Sequence, residues 1–510
     1  MAVAGRDRRP GRSGSPRSSV PADCSTATDA GNVLTRIRVL TTNRADGSNA
    51  PSTCWCLPGA IPLVSRSSGP AGCQTGAVTT AKSAASQGLP ASRLGRKFTL
   101  LWSASSVSAV GDGMRDAALP LLAATVSSSP SAVALVTVAG TLPWLVMSLV
   151  GGVLADRFDR RRLMWQVDLV RAVVVLGFAA WVLVASPPLV VPALLAFVLG
   201  CGETVFVNAS TSALPDVVRP EQLEAANGRL EGGLIVGGHF VGPLLGSALF
   251  VVGAGYPFAV DGVSFVLAAA LVAALGRSSA STPSPRRPVA ADIREGVRWT
   301  WTHRGIRLLA IVAAVASMAF YLAVTMLVLL LTKTLGASPV AYGMVLASGA
   351  VGGALAGVTS GRLRNRLGLT ARIGLSFFLM GASLLGLGVG SSVALAAVLY
   401  AVASFGVVTW NVQVVSLRQR VVPRRLLGRV NSCYLLLSRL GILVGAGLSG
   451  WLGSAFSVRT PAILGGVVLL ASLVVVPRLA SLEAVRSRPA GLDGAADPDP
   501  DPVDDPTLPR

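Results

Sequence analysis

From about residue 98 the chain is a succession of long apolar runs separated by short polar connections. A helix that crosses a bilayer needs about 20 mostly apolar residues. The pattern predicts such helices at 98–126, 131–155, 163–185, 189–212, 227–252 and 256–276. After a longer polar stretch, six more follow at 306–333, 339–360, 369–390, 393–415, 431–453 and 460–478. These are numbered spans 1 to 12 in chain order. The expected fold is an all-α membrane protein whose twelve transmembrane helices form two six-helix bundles.

The connections alternate in charge. Those near 127–130, 186–188, 253–255 and 391–392 carry no charged residue, and those after spans 7 and 11 carry only Lys333 and Arg459. The opposite set is arginine-rich, at Arg157 to Arg162, Arg219 and Arg229, Arg277 to Arg307, Arg362 to Arg366, and Arg418 to Arg429. Positive connections face the cytoplasm, so the pattern places this set and both termini there. An even number of spans requires the same.

The densest polar interruption is GGVLADRFDRRRLM at 151–164. A weaker copy, GVTSGRLRNR, lies at 357–366. At an offset of 205, Gly152, Arg157 and Arg161 align with Gly357, Arg362 and Arg366, while Gly361 stands where Asp156 stands in the first copy. VVRPEQLEAANGR at 217–229 likewise resembles VVPRRLLGRVNS at 421–432. The body therefore reads as two related halves, an organisation transporters use to rock two bundles about a central site.

Composition agrees with the spans. Of 510 residues 52% are apolar and 13% charged, with mean hydropathy +0.63; soluble domains carry about 25% charged residues. The net charge of +20 sits in the connections, which argues for membrane topology and against nucleic-acid binding. Cys201 and Cys433 lie in apolar spans and read as packing residues. Cys24, Cys54, Cys56 and Cys73 precede the spans, and Cys54-Trp-Cys56 lacks the spacing of a metal or redox motif.

The expected domains are an N-terminal extension (1–95), a first bundle (96–276), a linker (277–305), a second bundle (306–478) and an acidic C-terminal tail (479–510). The extension has the composition of disorder. Three readings stand for it: a cytoplasmic tail, a weak anchor to anionic lipid, or a leader that the cell does not translate. In the linker, Ile293, Val297 and Trp301 share one helical face, with Arg294, Arg298 and Arg304 mostly off it. That predicts an amphipathic helix at the cytoplasmic surface.

Ionisable residues inside spans are costly and mark functional sites by default. Span 1 carries Asp112, Arg115 and Asp116, and span 4 carries Glu203. These are the candidates for a proton or substrate site, against the alternative of a self-neutralised structural group. Asp168 and Arg171 in span 3 read as a structural pair, Asp261 in span 6 as a solvated residue near the outer end, and Arg439 in span 11 as a snorkelling one. Span 5 contains GGHFVGPLLGS, in which Gly238, Gly242 and Gly246 permit close helix approach and Pro243 removes a backbone donor.

GGVLADRFDRRRL resembles the signature between spans 2 and 3 of the major facilitator superfamily, departing from it at Asp159. LLWSASSVSAVGDGMRDAALPLL, PFAVDGVSF and PRRLLGRVNS resemble the branch that includes enterobactin exporters and macrolide-efflux permeases. Gly238, Gly242, Pro243 and Gly246 are similar to that superfamily's antiporter motif. The resemblance covers 98–478. It implies a major facilitator fold and a secondary transporter in the cell membrane, exporting drug-like, macrolide-like or siderophore-like molecules in exchange for protons. It also implies a conformational latch of Gly152, Asp156, Arg157, Arg160 and Arg161 against the start of span 11, near Asn431 and Ser432. A weaker copy of the latch falls at Gly357, Arg362 and Arg366. Spans 1, 4, 7 and 10 line the cavity of the family, making Asn208, Tyr321, Trp410 and Asn411 cavity candidates, with Met318, Met326, Phe405 and Gln413 beside them.

The expected partners are the bilayer, a small-molecule substrate and protons, with the chain acting as a monomer and no cofactor or metal. Import or facilitated passage of a neutral metabolite is the rival within transport. A receptor or intramembrane enzyme is a poorer fit, because only His239 and His303 are present and no catalytic constellation is evident. No G-x-x-x-x-G-K-[ST] phosphate loop for an ATP-driven pump is present either.

Overall fold

The protein is described by a computed structural model. It covers residues 24–29, 32–39, 52–56, 94–157, 159–276, 289–423 and 426–478, with the backbone alone for the first three pieces and for 148–157 and 289–293. The chain divides into two compact units, Met1–Leu89 and Pro90–Arg510.

Within the first unit, three strands pair as an antiparallel sheet in the order β1-β2-β3: β1 (Cys24–Asp29), β2 (Asn32–Val39) and β3 (Ser52–Cys56). Composition gave no sign of them. The rest of the expected disordered extension, and the acidic tail, lie outside the described residues.

The second unit is helical. Its spans are Arg96–Val126, Pro130–Arg157, Arg160–Val184, Val190–Val217, Pro220–Val252 and Tyr256–Ala273, then Arg304–Thr334, Pro339–Arg366, Leu369–Val389, Val393–Val421, Leu427–Ala455 and Thr460–Arg478. Eleven of these described helices are long and apolar enough to cross a membrane; span 1 is the exception. Span 1 is the one that carries Asp112, Arg115 and Asp116 in its middle, and it packs among spans 5 and 6. Helix starts carry the expected signals. Asp159 accepts from the Arg162 amide (3.0 Å) to cap span 3, Ser338 caps span 8, and Pro257, Pro339 and Pro461 occupy first turns, where no amide donor is needed.

The two bundles pack by one scheme. Span 1 contacts 5 and 6, span 2 contacts 4, and span 3 contacts 4 and 6. Adding six to each number gives the contacts of the second bundle. Even the glycine contacts repeat. A Cβ at Gly242 would sit 2.7 Å from the Gly113 Cα, and one at Gly246 would sit 2.7 Å from the Met114 Cα, so span 5 lies directly on the span 1 backbone. Gly441 and Gly445 of span 11 press in the same way on the backbone of Ala314 and Met318 in span 7.

The halves meet through spans 2 with 11 and 5 with 8. Near the ends opposite the arginine-rich connections these contacts are tight. The hydroxyls of Ser131 and Ser454 lie 2.8 Å apart, Gly450 and Gly453 pack on Ser131 and Pro130, and Gly343 packs on the Pro243 carbonyl. Deeper in, the Arg439 guanidinium stacks 4.6 Å over the Trp144 ring. Arg439 therefore bridges the halves by a cation–π contact and does not snorkel to the surface.

The linker forms a helix over Val289–Thr302. Its Gly296 packs on the Arg429 backbone, Glu295 pairs with Arg429, and Thr300 is buried, so one face docks on the start of span 11. Val297 and Trp301 remain exposed on another face.

Candidate functional site

Span 1 sets the site. Asp112 and Asp116 are one helical turn apart, with Arg115 between them. The Arg115 guanidinium contacts four carboxylates: Asp112 at 2.5 Å, Asp116 at 3.2 Å, Glu203 of span 4 at 3.1 Å and Asp261 of span 6 at 3.9 Å. Arg171 of span 3 reaches Asp112 at 2.5 Å and Asp168 at 3.3 Å, and its guanidinium lies 3.9 Å from the Phe265 ring centroid. One oxygen of Asp112 thus takes a bond from each arginine, while its other oxygen accepts from Ser108 at 3.4 Å. Four helices are tied together at mid-span.

The span 5 motif holds this arrangement in place. Gly242 and Gly246 rest on Gly113 and Met114, the turn between Asp112 and Arg115. Any side chain at either glycine would push that turn away. Pro243 has no N–H to give the residue four before it, and the segment just before it, Ile235–Val241, is wound as a π-helix, the local adjustment expected where the hydrogen-bond ladder is interrupted. Gly238 is different, since a Cβ there would make only an ordinary 3.5 Å contact with Ala109.

The sequence candidates Asp112, Arg115, Asp116 and Glu203 are therefore brought together. Two other expectations change. Asp261 is not solvated. It is fully buried, neither carboxylate oxygen has a hydrogen-bond partner, and its nearest cation is Arg115. Asp168 and Arg171 are not a self-contained pair, because Arg171 is shared with Asp112. All three are ionisable groups inside spans, which is signal enough; for Asp261, nearness to a span end does not bring exposure, because neighbouring helices cover it.

Exposure within the cluster is graded: Arg115 is 4% exposed and Asp116 is 68% exposed. Span 1 also touches spans 7 and 8 of the second bundle, which carry Tyr321 and Tyr342. Of the cavity candidates, Tyr321 is half-buried in span 7. Asn208 is half-buried and donates to the Thr204 carbonyl of its own helix (2.9 Å). Trp410 is buried edge-on against Phe377 of span 9, with ring centroids 4.9 Å apart, and so serves packing. Asn411 is exposed, Met318 and Phe405 are half-buried, and Met326 and Gln413 are buried. Among the described residues no group of three or more His, Cys, Asp or Glu converges as a metal site.

At the latch, the side chains of Gly152, Asp156 and Arg157 lie outside the described residues. Arg160 binds Asp216 and the Ser212 carbonyl of span 4, each at 2.9 Å. Arg161 binds the carbonyls of Val272 (3.0 Å) and Ala273, at the end of span 6. Both arginines fasten the connection to its own bundle, and Arg161 also satisfies the open carbonyls of a helix C-terminus. At the start of span 11, Asn431 accepts from Arg418 of span 10 at 2.6 Å and Ser432 donates to Gly428 at 3.1 Å. In the second copy Arg362 and Arg366 are exposed, and a Cβ at Gly357 would meet nothing within 4 Å.

A duplicated six-plus-six helical body with charges buried at mid-span is the architecture of a major facilitator transporter, and the comparisons agree. Residues 91–491 match the transmembrane secretion effector family. The chain belongs to that family. It is 27% identical over 416 residues to an enterobactin exporter of Citrobacter koseri, across 78% of this chain and 95% of the relative. It is 26% identical over 382 residues to an MFS-type transporter, YfiS, of Bacillus subtilis, across 70% and 87%. A multidrug efflux pump, Tap, of Mycolicibacterium fortuitum is 29% identical over 227 residues, across 43% of this chain and 55% of the pump. Among solved structures, a bacterial homologue of the iron transporter ferroportin, in the inward-facing state, superposes with TM-score 0.59 at 18% identity, across 76% of this chain and 99% of that one. A bacterial homologue of the lysosomal transporter Spinster gives 0.59 at 16%, across 77% and 97%. At these identities the superpositions establish the fold. The protein is thus a multi-pass membrane transporter of the branch that includes enterobactin and multidrug exporters.

Proposed function

We propose that the protein exports drug-like or siderophore-like organic molecules in exchange for protons, by alternating access of its two bundles. The observation that carries the coupling is a charge imbalance. The mid-span cluster has five carboxylates (Asp112, Asp116, Asp168, Glu203 and Asp261) and two guanidiniums (Arg115 and Arg171). Fully ionised, it holds three uncompensated negative charges. Such an excess is expensive inside a membrane, and protons relieve it without requiring any further ligand. Asp261, buried and unbonded, is the group best suited to hold one. Asp116, the most exposed carboxylate of the cluster, is open to a cationic or amphipathic substrate that competes for the same charges. The names of the relatives support export of siderophores or drugs. In this reading the latch of Gly152, Asp156, Arg157, Arg160 and Arg161 engages the start of span 11 when the cytoplasmic side closes, and the termini are cytoplasmic.

The test is uptake into inverted membrane vesicles, screened with dyes, macrolides and siderophores. Accumulation should collapse when an uncoupler removes the proton gradient. If every transported compound accumulates equally with the uncoupler present, the proton claim is wrong. Asp156→Asn should slow turnover and leave the folded yield unchanged; an undiminished rate would remove the latch.

A further inference from the structure

We propose that Arg439 of span 11 and Trp144 of span 2 form a subsite for an organic acid, so that the transported molecule carries a carboxylate or a comparable planar oxyanion. The inference rests on the reading of the chain as an exporter of organic molecules and adds the charge of one substrate group.

Arg439 lies well inside span 11, far from either end of Leu427–Ala455. A charge at such depth needs partners. Arg115 and Arg171 have carboxylates, and Arg418 of span 10 gives to the Asn431 oxygen at 2.6 Å. Arg439 has only the Trp144 ring, 4.6 Å away; among the described residues no hydrogen bond or ion pair reaches its guanidinium. A ring face stabilises the charge but does not accept from five N–H donors as oxygens do. Its own bundle cannot supply an acid, because residues 306–478 contain no Asp or Glu. The donors are not sealed in either: Arg439 is half-buried, and none of its nitrogens is closed off from solvent.

The faces of span 11 show where those donors lie. Leu440, Val444, Leu448 and Trp451 are exposed at helical spacing and form its outer stripe. Arg439 belongs to a different stripe, with Ala446, Gly450 and Gly453 at i+7, i+11 and i+14. Gly450 and Gly453 press on Ser131 and Pro130 of span 2, and Ala446 is fully buried. Toward the arginine-rich ends the same stripe continues to Leu435 and Ser432, and both are exposed. The seam between the bundles is therefore shut beyond Arg439 and open before it. Arg439 stands at the apex of that opening, with Leu435 and the half-buried Trp144 as apolar neighbours. A guanidinium fork matches a carboxylate in two bonds, and the apolar neighbours suit the body of an organic acid rather than a bare inorganic ion. Filling the seam would not require a charge, since a neutral side chain does so without the cost of desolvation.

The experiment uses the full chain in phosphatidylcholine nanodiscs at neutral pH, with no gradient. The probes are three acids, each with its neutral amide: benzoate and benzamide, 2-naphthoate and 2-naphthamide, coumarin-3-carboxylate and coumarin-3-carboxamide. Equilibrium dialysis gives the ratio of the two affinities in each pair. At least one acid should bind about ten- to a hundredfold tighter than its amide, the range for hydrogen bonds to a charged group. Arg439→Gln should bring that ratio close to one, and Arg439→Lys, which keeps the charge without the fork, should leave it between the two. Partial unfolding lowers both affinities together, so the ratio separates recognition from stability. The control Arg304→Gln removes an exposed arginine elsewhere and should keep the native ratio. Uptake is measured separately in vesicles, so transport that ignores an uncoupler counts against proton exchange and not against this subsite. The proposal is overturned if no acid is preferred to its amide, if Arg439→Gln keeps the preference, or if chloride displaces the acid at equal concentration.

Discussion

The two bundles share a packing scheme and differ in charge. Residues 96–276 contain eleven carboxylates and ten basic side chains, whereas residues 306–478 contain fourteen basic side chains and no carboxylate. The glycine contacts are duplicated, span 5 on span 1 and span 11 on span 7, yet the turn they press on carries Asp112, Arg115 and Asp116 in one half and Ala314 and Met318 in the other. What the halves share is the close helix approach needed to assemble a bundle in lipid, where small residues allow backbones to meet. What they do not share is the chemistry. A duplication thus separates scaffold from chemistry within one chain, and the buried carboxylates belong to the first bundle.

The largest expected effect comes from the charge that holds the first bundle's site together. Arg115→Leu leaves four carboxylates without their common cation. Breaking a buried ion pair from one side costs about 3–5 kcal/mol, and transport should fall to background. Met318→Leu, on the corresponding contact surface of span 7, should cost less than about 1.5 kcal/mol, as a volume-conserving swap. Thermal unfolding in detergent and vesicle uptake compare the two. Similar losses would mean that the charge asymmetry carries no energetic weight.

The next comparison separates packing from coupling. Gly246→Val and Gly445→Val insert side chains against the backbones of Met114 and Met318 respectively. Each should destabilise by about 1–3 kcal/mol through overpacking. Only Gly246→Val should also alter proton coupling, because it displaces the turn that carries Arg115 and Asp116. Gly238→Ala, with 3.5 Å of room, should be close to neutral. Substrate-to-proton stoichiometry in proteoliposomes reads the difference, and an equal change in both valine variants would dissolve it.

Much of this was legible in the chain. Twelve apolar runs, alternating connection charge and the offset of 205 are direct consequences of membrane insertion and duplication, so span count and bundle division were readable. Span 1 is legible as a span although its charges break the apolar run, and Asp112, Arg115, Asp116 and Glu203 stand out because ionisable groups inside spans are rare. Sequence could not show which helices would share one guanidinium. The distance of Asp261 from a span end suggests solvation, but burial depends on which neighbours cover a residue, and spans 1 and 3 cover this one. Trp410 stood out as an aromatic in a cavity-lining helix, yet rotation about the helix axis points it at Phe377. Of the three β-strands in 24–56, β2 alternates at Arg36-Ile37-Arg38-Val39, a stretch too short to stand out in a polar, low-hydropathy region.

A finer test lies inside the first bundle. Asp112 accepts from two guanidiniums, whereas Asp261 accepts from none. Asn is close in shape to a protonated carboxyl and cannot carry its charge. Asp112→Asn should therefore destabilise by about 2 kcal/mol, the loss expected for hydrogen bonds to a charged partner, and Asp261→Asn by less than about 1 kcal/mol. Transport by the Asp261→Asn variant should no longer rise with an imposed proton gradient. Equal destabilisation by the two substitutions would show that Asp261 is held ionised, and its role as the proton holder would fail.

The smallest effect concerns the place where the unlike halves meet. The hydroxyls of Ser131 and Ser454 bond across the closed end, between spans 2 and 11, and the neighbouring contacts of Gly450 and Gly453 are apolar packing. An exposed neutral hydrogen bond contributes about 0.5–1.5 kcal/mol net. Ser131→Ala should therefore leave the unfolding midpoint within about a degree or two and instead shift the balance between closed and open ends by roughly two- to tenfold. Cysteines placed near this end and probed with a membrane-impermeant thiol reagent report that balance. Adding Ser454→Ala to Ser131→Ala should change nothing further, because one partner is already gone. If the double variant opens the end much more than the single one, the hydroxyls act separately, and closure does not depend on a bond between the halves.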